Sequence, residues 1–423
     1  MSDPRPRILL VGGDGRPSGV PRHIQHLSDA LEHSAVITVA SDVDRGGYTT
    51  LAPRGVRHLA IAGLSKGSEP LRLIRALRDL MKLIRTEAPD ILWLHARLPS
   101  VLIRLVLALW LWRPTCQIMV THHGLPYGPG RHLLFRLFGK PLEKLLLRLG
   151  PPQHIVLLED RMAQQYRREM TSALTQRHHL HVLPNCSDLK PFPSRRDQRF
   201  KTLVMTGRAD RQKDMGYAVR LFAGLPETYR LILCGPGTEG AAFQRRMRAL
   251  VPRETGKRIT FTGPLADVRP VLQIADAYLL TSRYEGMPIG MIEAVEAGLP
   301  IILRNFEGAS SFVSAHPCGL LVGEGSRSRD AARIVAMLAD AERDPEGIRR
   351  RTKCLWNALW SPKIFARSAR SVLMAVLDQP RATTQDCVRD GPVPRPDHRR
   401  NEAGRVPEPP PCHTTASPSA GSG

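Results

Sequence analysis

Short apolar runs alternate with stretches of helical periodicity from the beginning of the chain. Arg7–Val11 reads as a buried strand, and Ile24, Leu27 and Leu31 then recur at helical spacing. Strands are predicted over Ala35–Val39, Ile91–His95, Gln117–Thr121, Ile155–Leu158 and Leu180–Leu183, with helices over Leu71–Arg85 and near 100–112. The segment Pro184–Arg199 is rich in turn formers and charge and reads as a linker. A second alternation follows, with strands over Thr202–Thr206, Arg230–Cys234, Ile259–Thr262, Ala277–Leu280, Ile301–Leu303 and Gly319–Val322 and a last helix over Pro362–Leu377. Alternation of this kind makes parallel, doubly wound α/β sheets. The expected units are residues 1–190, residues 191–378, and a proline-rich, polar segment 379–423 too poor in aliphatics to order itself. The last helix, about 362–377, is placed to pack back on the first unit.

One stretch says most about chemistry. Glu285 and Glu293 stand within Ser282–Ala294, where Gly286 and Pro288 make a turn after an apolar strand. A helix is predicted from near Ile289 until Gly298 and Pro300 stop it. One carboxylate then lies in the loop at a strand's C-terminal end and the other inside the following helix. The unpaired amides of the helix start, at Ile289 and Gly290, form a phosphate site. Carboxylates suit sugar and ribose hydroxyls and amides suit a diphosphate, so the combination points to a nucleotide-sugar pocket.

This stretch resembles the E-x7-E signature of retaining glycosyltransferases of family 4, which have the GT-B fold of two Rossmann-like domains facing a central cleft. The resemblance covers about residues 7–377. Ser18-Gly19-Val20-Pro21-Arg22-His23 is similar to the family's G-G-V-x-x-H loop, with serine in place of its first glycine, and implies a backbone role for Gly19 near the donor diphosphate. Thr121-His122-His123-Gly124 resembles the v-x-H-G element, which implies that His123 contacts the donor sugar, with His122 as its neighbour and rival. Gly207-Arg208 and Lys213 resemble G-R-x(4–5)-K-G, although Asp214 and Met215 separate the lysine from Gly216 and leave Arg211 as a rival to Lys213. The implied role of Arg208 and Lys213 is to neutralise the diphosphate leaving group. Gly235 and Gly263 fall in turns similar to G-x-G-P and f-x-G, which frame the nucleotide, and Pro184-Asn185-Cys186-Ser187-Asp188 resembles P-N-G-v-D with Cys186 in place of glycine. By the same resemblance Glu285 orients the donor sugar and Glu293 binds the ribose. No histidine–carboxylate cluster with zinc spacing is apparent, and the chemistry is expected to need no metal and no cofactor beyond a GDP- or UDP-linked donor.

Charge adds a second theme. The chain carries a formal +22 with only 5% aromatic residues, which favours acidic ligands or anionic surfaces over specific nucleic-acid readout. Arg72, Arg75, Arg78, Lys82 and Arg85 line one predicted helix, and Arg136, Lys140, Lys144 and Arg148 line another that Pro141 is expected to split. Each stripe is either an ordinary solvated face or a docking face for anionic lipid headgroups. The longest apolar stretch, Val101–Trp112, is interrupted by Arg104 and too short to span a bilayer. With seven widely spaced cysteines, no C-x-x-C and no apolar leader, the protein is expected to be cytoplasmic, with the inner membrane face as a candidate docking surface. The expected activity is hexosyl transfer from a nucleotide sugar to a saccharide or polyprenyl-linked acceptor in envelope or exopolysaccharide synthesis. A catalytically silent sugar-nucleotide-binding subunit and a GT-B epimerase are the alternatives, and a basic nucleic-acid-binding protein ranks below both. Gly12-Gly13-Asp14-Gly15 lacks the G-x-G-x-x-G frame of a dinucleotide enzyme.

Overall fold

The computed structural model describes residues 3–65, 69–125, 127–128, 133–190 and 200–379. The segments 191–199 and 380–423, within the expected linker and tail, lie outside the described residues. Two parallel sheets carry the molecule. The first is built from β1 (Arg7–Val11), β2 (Val36–Ser41), β3 (Arg57–Ala60), β4 (Ile91–Leu94), β5 (Gln117–His122), β6 (His154–Leu157) and β7 (His179–Val182), in the order β3-β2-β1-β4-β5-β6-β7. The second is built from β8 (Lys201–Thr206), β9 (Tyr229–Cys234), β10 (Ile259–Gly263), β11 (Ala277–Leu280), β12 (Ile301–Arg304) and β13 (Gly319–Val322), in the order β10-β9-β8-β11-β12-β13. This is the GT-B architecture.

Alternate residues of β1 serve opposite faces, as the period of a strand requires. Leu9 and Val11 join the core beneath α2 (Pro70–Glu87), α3 (Arg97–Ala108), α4 (Leu133–Leu149) and α5 (Asp160–Met170), whose Leu80, Ile103, Leu147 and Tyr166 are buried with them. Ile8 and Leu10 join the other core, beneath α1 (Gly19–Leu31). The closing helix Pro362–Leu377 supplies Phe365, Ala369, Leu373 and Val376 to that same core, so the chain returns from the second sheet to the first.

Two features depart from the sequence reading. The edge strand β3 has no apolar run, since Arg57-His58-Leu59-Ala60 is half exposed, and only its pairing with β2 makes it a strand. Pro141 does not divide α4, which runs unbroken from Leu133 to Leu149. The proline removes one i→i−4 bond, to the carbonyl of Leu137, and that residue lies on an exposed turn where water can replace the lost donor.

Candidate active site

Strand order reverses between β1 and β4 in one sheet and between β8 and β11 in the other. Loops at the C-terminal ends of strands diverge at such a reversal and leave a crevice. Here the two crevices face each other and enclose a cavity of about 340 Å³.

From the first sheet the cavity receives Gly19 and Arg22 at the start of α1, and His123 just after β5. A side chain at Gly19 would meet no protein atom within 4 Å, so a Cβ there would stand in open space at the cleft wall. From the second sheet come Arg208, Lys213, Gly235, Glu285, Ile289, Gly290 and Glu293. Gly263 does not line the cavity. It stands one layer behind, in a left-handed conformation (φ 73°), with its carbonyl accepting from the Gly235 N–H at 2.8 Å. Gly235 has no room for a side chain, because a Cβ would lie 2.0 Å from the Gly207 carbonyl oxygen.

Both helix starts at the cavity lack a side-chain cap, so the amides of Gly19 and Val20 on one wall and of Ile289 and Gly290 on the other keep their affinity for an anion. Gly290 is also demanded by packing, since a Cβ would come within 2.3 Å of Thr206 Oγ1 and 2.6 Å of the Tyr278 hydroxyl.

The loop after β8 settles which of its cations faces inward. Thr281 Oγ1 donates to the carbonyls of Lys213 and Asp214, both at 3.1 Å, and the Arg283 N–H donates to the Gln212 carbonyl at 2.8 Å. Asp214 pairs with Arg283 (2.9 Å) and Arg304 (2.7 Å). Thus pinned, Lys213 reaches Glu285 at 2.7 Å, Gln212 Nε2 donates to the same carboxylate at 3.2 Å, and Arg211 stays on the surface. Arg208 is held loosely, with Asp210 3.4 Å away and nearly half of its side chain exposed in the cleft.

Glu293 is buried, and burial pushes its carboxyl above the usual carboxylate range, opposed by the charge of Arg22. Arg22 Nη1 donates directly to Glu293 Oε1, from one domain to the other, while Glu293 Oε2 has no hydrogen-bond partner among the described residues. Neither Arg22 nor Gln212 was foreseen as a site residue.

The two adjacent histidines diverge. His122 turns into the core, its Nε2 3.3 Å from the Glu143 carboxylate, which is itself paired with Arg104 at 2.8 and 2.9 Å and with the Tyr166 hydroxyl at 2.6 Å. His123 lines the cleft. Its backbone is clasped by the other domain, for a Cβ at Gly286 would lie 2.4 Å from the His123 carbonyl oxygen.

His123 also belongs to a cluster that the sequence concealed. Its ring centroid lies 4.8 Å from that of His23 and 5.8 Å from that of His95, and one ring nitrogen from each of the three falls within 4.8 Å of the others. Burial holds all three below the usual histidine range, His23 at about 4, so the rings are neutral at pH 7. Asn185 fixes one tautomer. Its amide Nδ2 donates to the Met287 carbonyl at 2.6 Å, so Oδ1 faces His23 Nδ1 at 2.7 Å and that nitrogen carries the proton. Asn185, expected only in a structural turn, thus links the Glu285 loop to the histidines. Three imidazoles sharing a zinc ion would bring their nitrogens to about 3.4 Å from one another at zinc–nitrogen distances of about 2.0–2.1 Å, inside the 4.8 Å that bounds this cluster.

Comparison with known proteins identifies the family. Residues 17–191 match the model "Glycosyltransferase Family 4" and residues 186–353 match "Glycosyl transferases group 1". The chain belongs to this glycosyltransferase family. It is 23% identical, over 66% of its own length and 74% of the relative's, to the UDP-Gal:alpha-D-GlcNAc-diphosphoundecaprenol alpha-1,3-galactosyltransferase of Escherichia coli. In structure it resembles Anabaena HepE in complex with UDP and glucose, with a TM-score of 0.71 at 14% identity over 88% of this chain and 100% of that one. Sucrose-phosphate synthase from Thermosynechococcus elongatus gives a TM-score of 0.71 at 18% identity over 88% and 99%. At these identities the structural likeness establishes the fold of the family-4 chain and leaves its substrates to be argued from its own residues.

Proposed function

We propose that this chain is a retaining, metal-independent hexosyltransferase that takes a GDP- or UDP-linked sugar and passes the hexose to a saccharide or polyprenyl-linked acceptor in envelope or exopolysaccharide synthesis. The observation that carries this reading is the meeting, in one cavity, of two uncapped helix starts, Arg208 and Lys213, and two inward carboxylates. The helix starts and cations suit a diphosphate whose charge grows as the sugar departs. Glu293 suits the ribose, and Pro264, Leu265 and Val268 offer an apolar wall to the base. Glu285, tied to Lys213, is an orienting group for the donor sugar rather than a free nucleophile, so retention proceeds by attack from the leaving-group side without a glycosyl-enzyme. His123, neutral and fixed, donates or accepts a hydrogen bond at the sugar from the opposite wall.

Uracil is the first base to test, because HepE holds UDP and the E. coli relative uses UDP-Gal. The experiment is a thermal-shift screen of the purified chain against UDP, GDP and their hexose conjugates. A ligand at 100 times its Kd stabilises by about 2.7 kcal/mol and raises Tm accordingly. No shift with any nucleoside diphosphate would reject the donor assignment.

A further inference from the structure

Of the sixteen large apolar side chains exposed among the described residues, twelve belong to the first domain. Their densest array is on α4. Leu134, Phe138, Leu145 and Leu149 are 56%, 64%, 47% and 42% exposed, and with Pro141, also exposed, they recur every three or four residues. That spacing puts them on one helix face, about 22 Å long at 1.5 Å per residue. The opposite face holds Glu143, Leu146 and Leu147 in the core. Helical spacing sets Lys140, Lys144 and Arg148 along one edge of the apolar stripe. The sequence reading singled out the cations of α4, whereas the structure sets exposed leucine and phenylalanine beside them on the outward face.

The neighbouring helices continue the pattern. α3 packs against α4 and ends in Leu109, Trp110 and Leu111, all at least half exposed, with the Arg113 guanidinium 5.1 Å from the Trp110 ring centre. α2 packs against α3 and exposes Leu71 and Ile74 beside Arg75, Arg78 and Lys82.

We infer that the outward face of α4, with the end of α3 and the start of α2, is a docking surface that inserts into the interface of an anionic bilayer. Apolar side chains bordered by cations are what an interfacial helix presents to a lipid surface: the chains enter the acyl boundary and the cations stay with the headgroups. Solvation alone does not account for a leucine–phenylalanine stripe at the middle of an outward face. Residues 380–423 of the same chain are a poor cover, being polar and proline-rich with few aliphatics. Helix α4 follows the loop that bears His123, so it starts at the sheet edge where the cleft opens. Docking there brings the cleft mouth to the headgroups, where a polyprenyl diphosphate acceptor would present its sugar. Only this last consequence rests on the proposed acceptor.

The test is sedimentation of the full chain with vesicles of phosphatidylcholine alone or with one-third phosphatidylglycerol. Wild type should pellet with the anionic vesicles and retain part of that binding in 0.5 M NaCl, because inserted side chains are not screened. The double variant Leu134→Glu, Phe138→Glu should lose at least tenfold in vesicle affinity at both salt concentrations. Arg75→Gln, Arg78→Gln, Lys82→Gln should lose affinity mainly at low salt. UDP- or GDP-dependent thermal shifts should be unchanged in both variants, which separates failure of docking from failure of the glycosyltransferase reading. Leu145→Gln provides a milder change if the double variant is misfolded. Equal pelleting of wild type and the apolar variants would overturn the inference. So would no pelleting, or a wild-type dimer in light scattering that Leu134→Glu, Phe138→Glu converts to monomer.

Discussion

Arg22 and Glu293 meet across the cleft, the guanidinium from α1 on the carboxylate of the helix Ile289–Glu296. Glu293 is the group assigned to the donor ribose, so a bound nucleotide and Arg22 compete for it. Replacing Arg22 with Gln removes the competitor. Donor binding is then expected to tighten a few-fold, and the unliganded molecule to scatter X-rays with a larger radius of gyration. Glu293→Ala should instead weaken donor binding by about 1.5–3 kcal/mol, the usual value of a hydrogen bond to a charged group. Isothermal titration with UDP and GDP reads both. Weaker binding in Arg22→Gln would make Arg22 a donor ligand in its own right.

Arg208 is the least engaged cation of the cavity, its nearest described carboxylate being 3.4 Å away. A group free in the ground state is available to the charge that develops on the departing diphosphate. Arg208→Ala should therefore lower kcat by about 100-fold or more while donor Kd rises less than tenfold. Turnover close to wild type would remove Arg208 from the reaction.

The proposed chemistry assigns leaving-group stabilisation to side chains and helix starts, so excess EDTA should leave turnover unchanged. Loss of activity that Mn²⁺ or Mg²⁺ restores would overturn this. Restoration by Zn²⁺ would direct attention to His23, His95 and His123, whose nitrogens lie within 4.8 Å of one another.

The same histidines set a pH dependence of stability. His23 is held at about 4 by burial, against 6.5 for an ordinary histidine, and His178 and His316 are likewise held at about 4. Their folded values are depressed, so between pH 6.5 and 4 the unfolded chain binds protons that the folded chain refuses. Stability is full above pH 6.5 and falls as pH drops toward 4, by about 3 kcal/mol for His23 alone. Urea midpoints measured from pH 7.5 to 4.5 should fall throughout the lower half of that range. A flat profile would mean that the imidazoles are protonated inside the fold.

Legibility followed the range of the interactions. Apolar runs and turn residues are local, so twelve of the thirteen strands among the described residues and the loop carrying Glu285 could be read directly, while β3 exists only by pairing with β2. The positions of His123 and Lys213 were recoverable as motifs. Their distinction from His122 and Arg211 was not, because it depends on Glu143 pulling one histidine inward and Thr281 pinning the cation loop. Arg22, Asn185 and the histidine cluster act through partners 28 to 271 residues away (His95–His123 being the nearest such pair), and no spacing rule reaches so far. Arg104 was visible only as an interruption of an apolar run.

That interruption has a structural cause and a measurable consequence. Arg104 and Glu143 are both buried and bind through two parallel hydrogen bonds, with Tyr166 as a third member. Burial alone would raise the Glu143 carboxyl, but Arg104 and His122 beside it together outweigh burial and keep the group well below the usual range. Glu143→Leu leaves a buried guanidinium without its counter-charge and should cost about 3–5 kcal/mol in urea unfolding. The double change Arg104→Leu, Glu143→Leu removes both charges and should recover most of that loss, since an apolar pair of similar volume avoids the desolvation cost. His122 loses its carboxylate neighbour in both variants, so a fall in kcat common to the two would measure how far this core pair holds the His122–His123 turn in place. Additive losses in the double variant would show that the pair is not coupled.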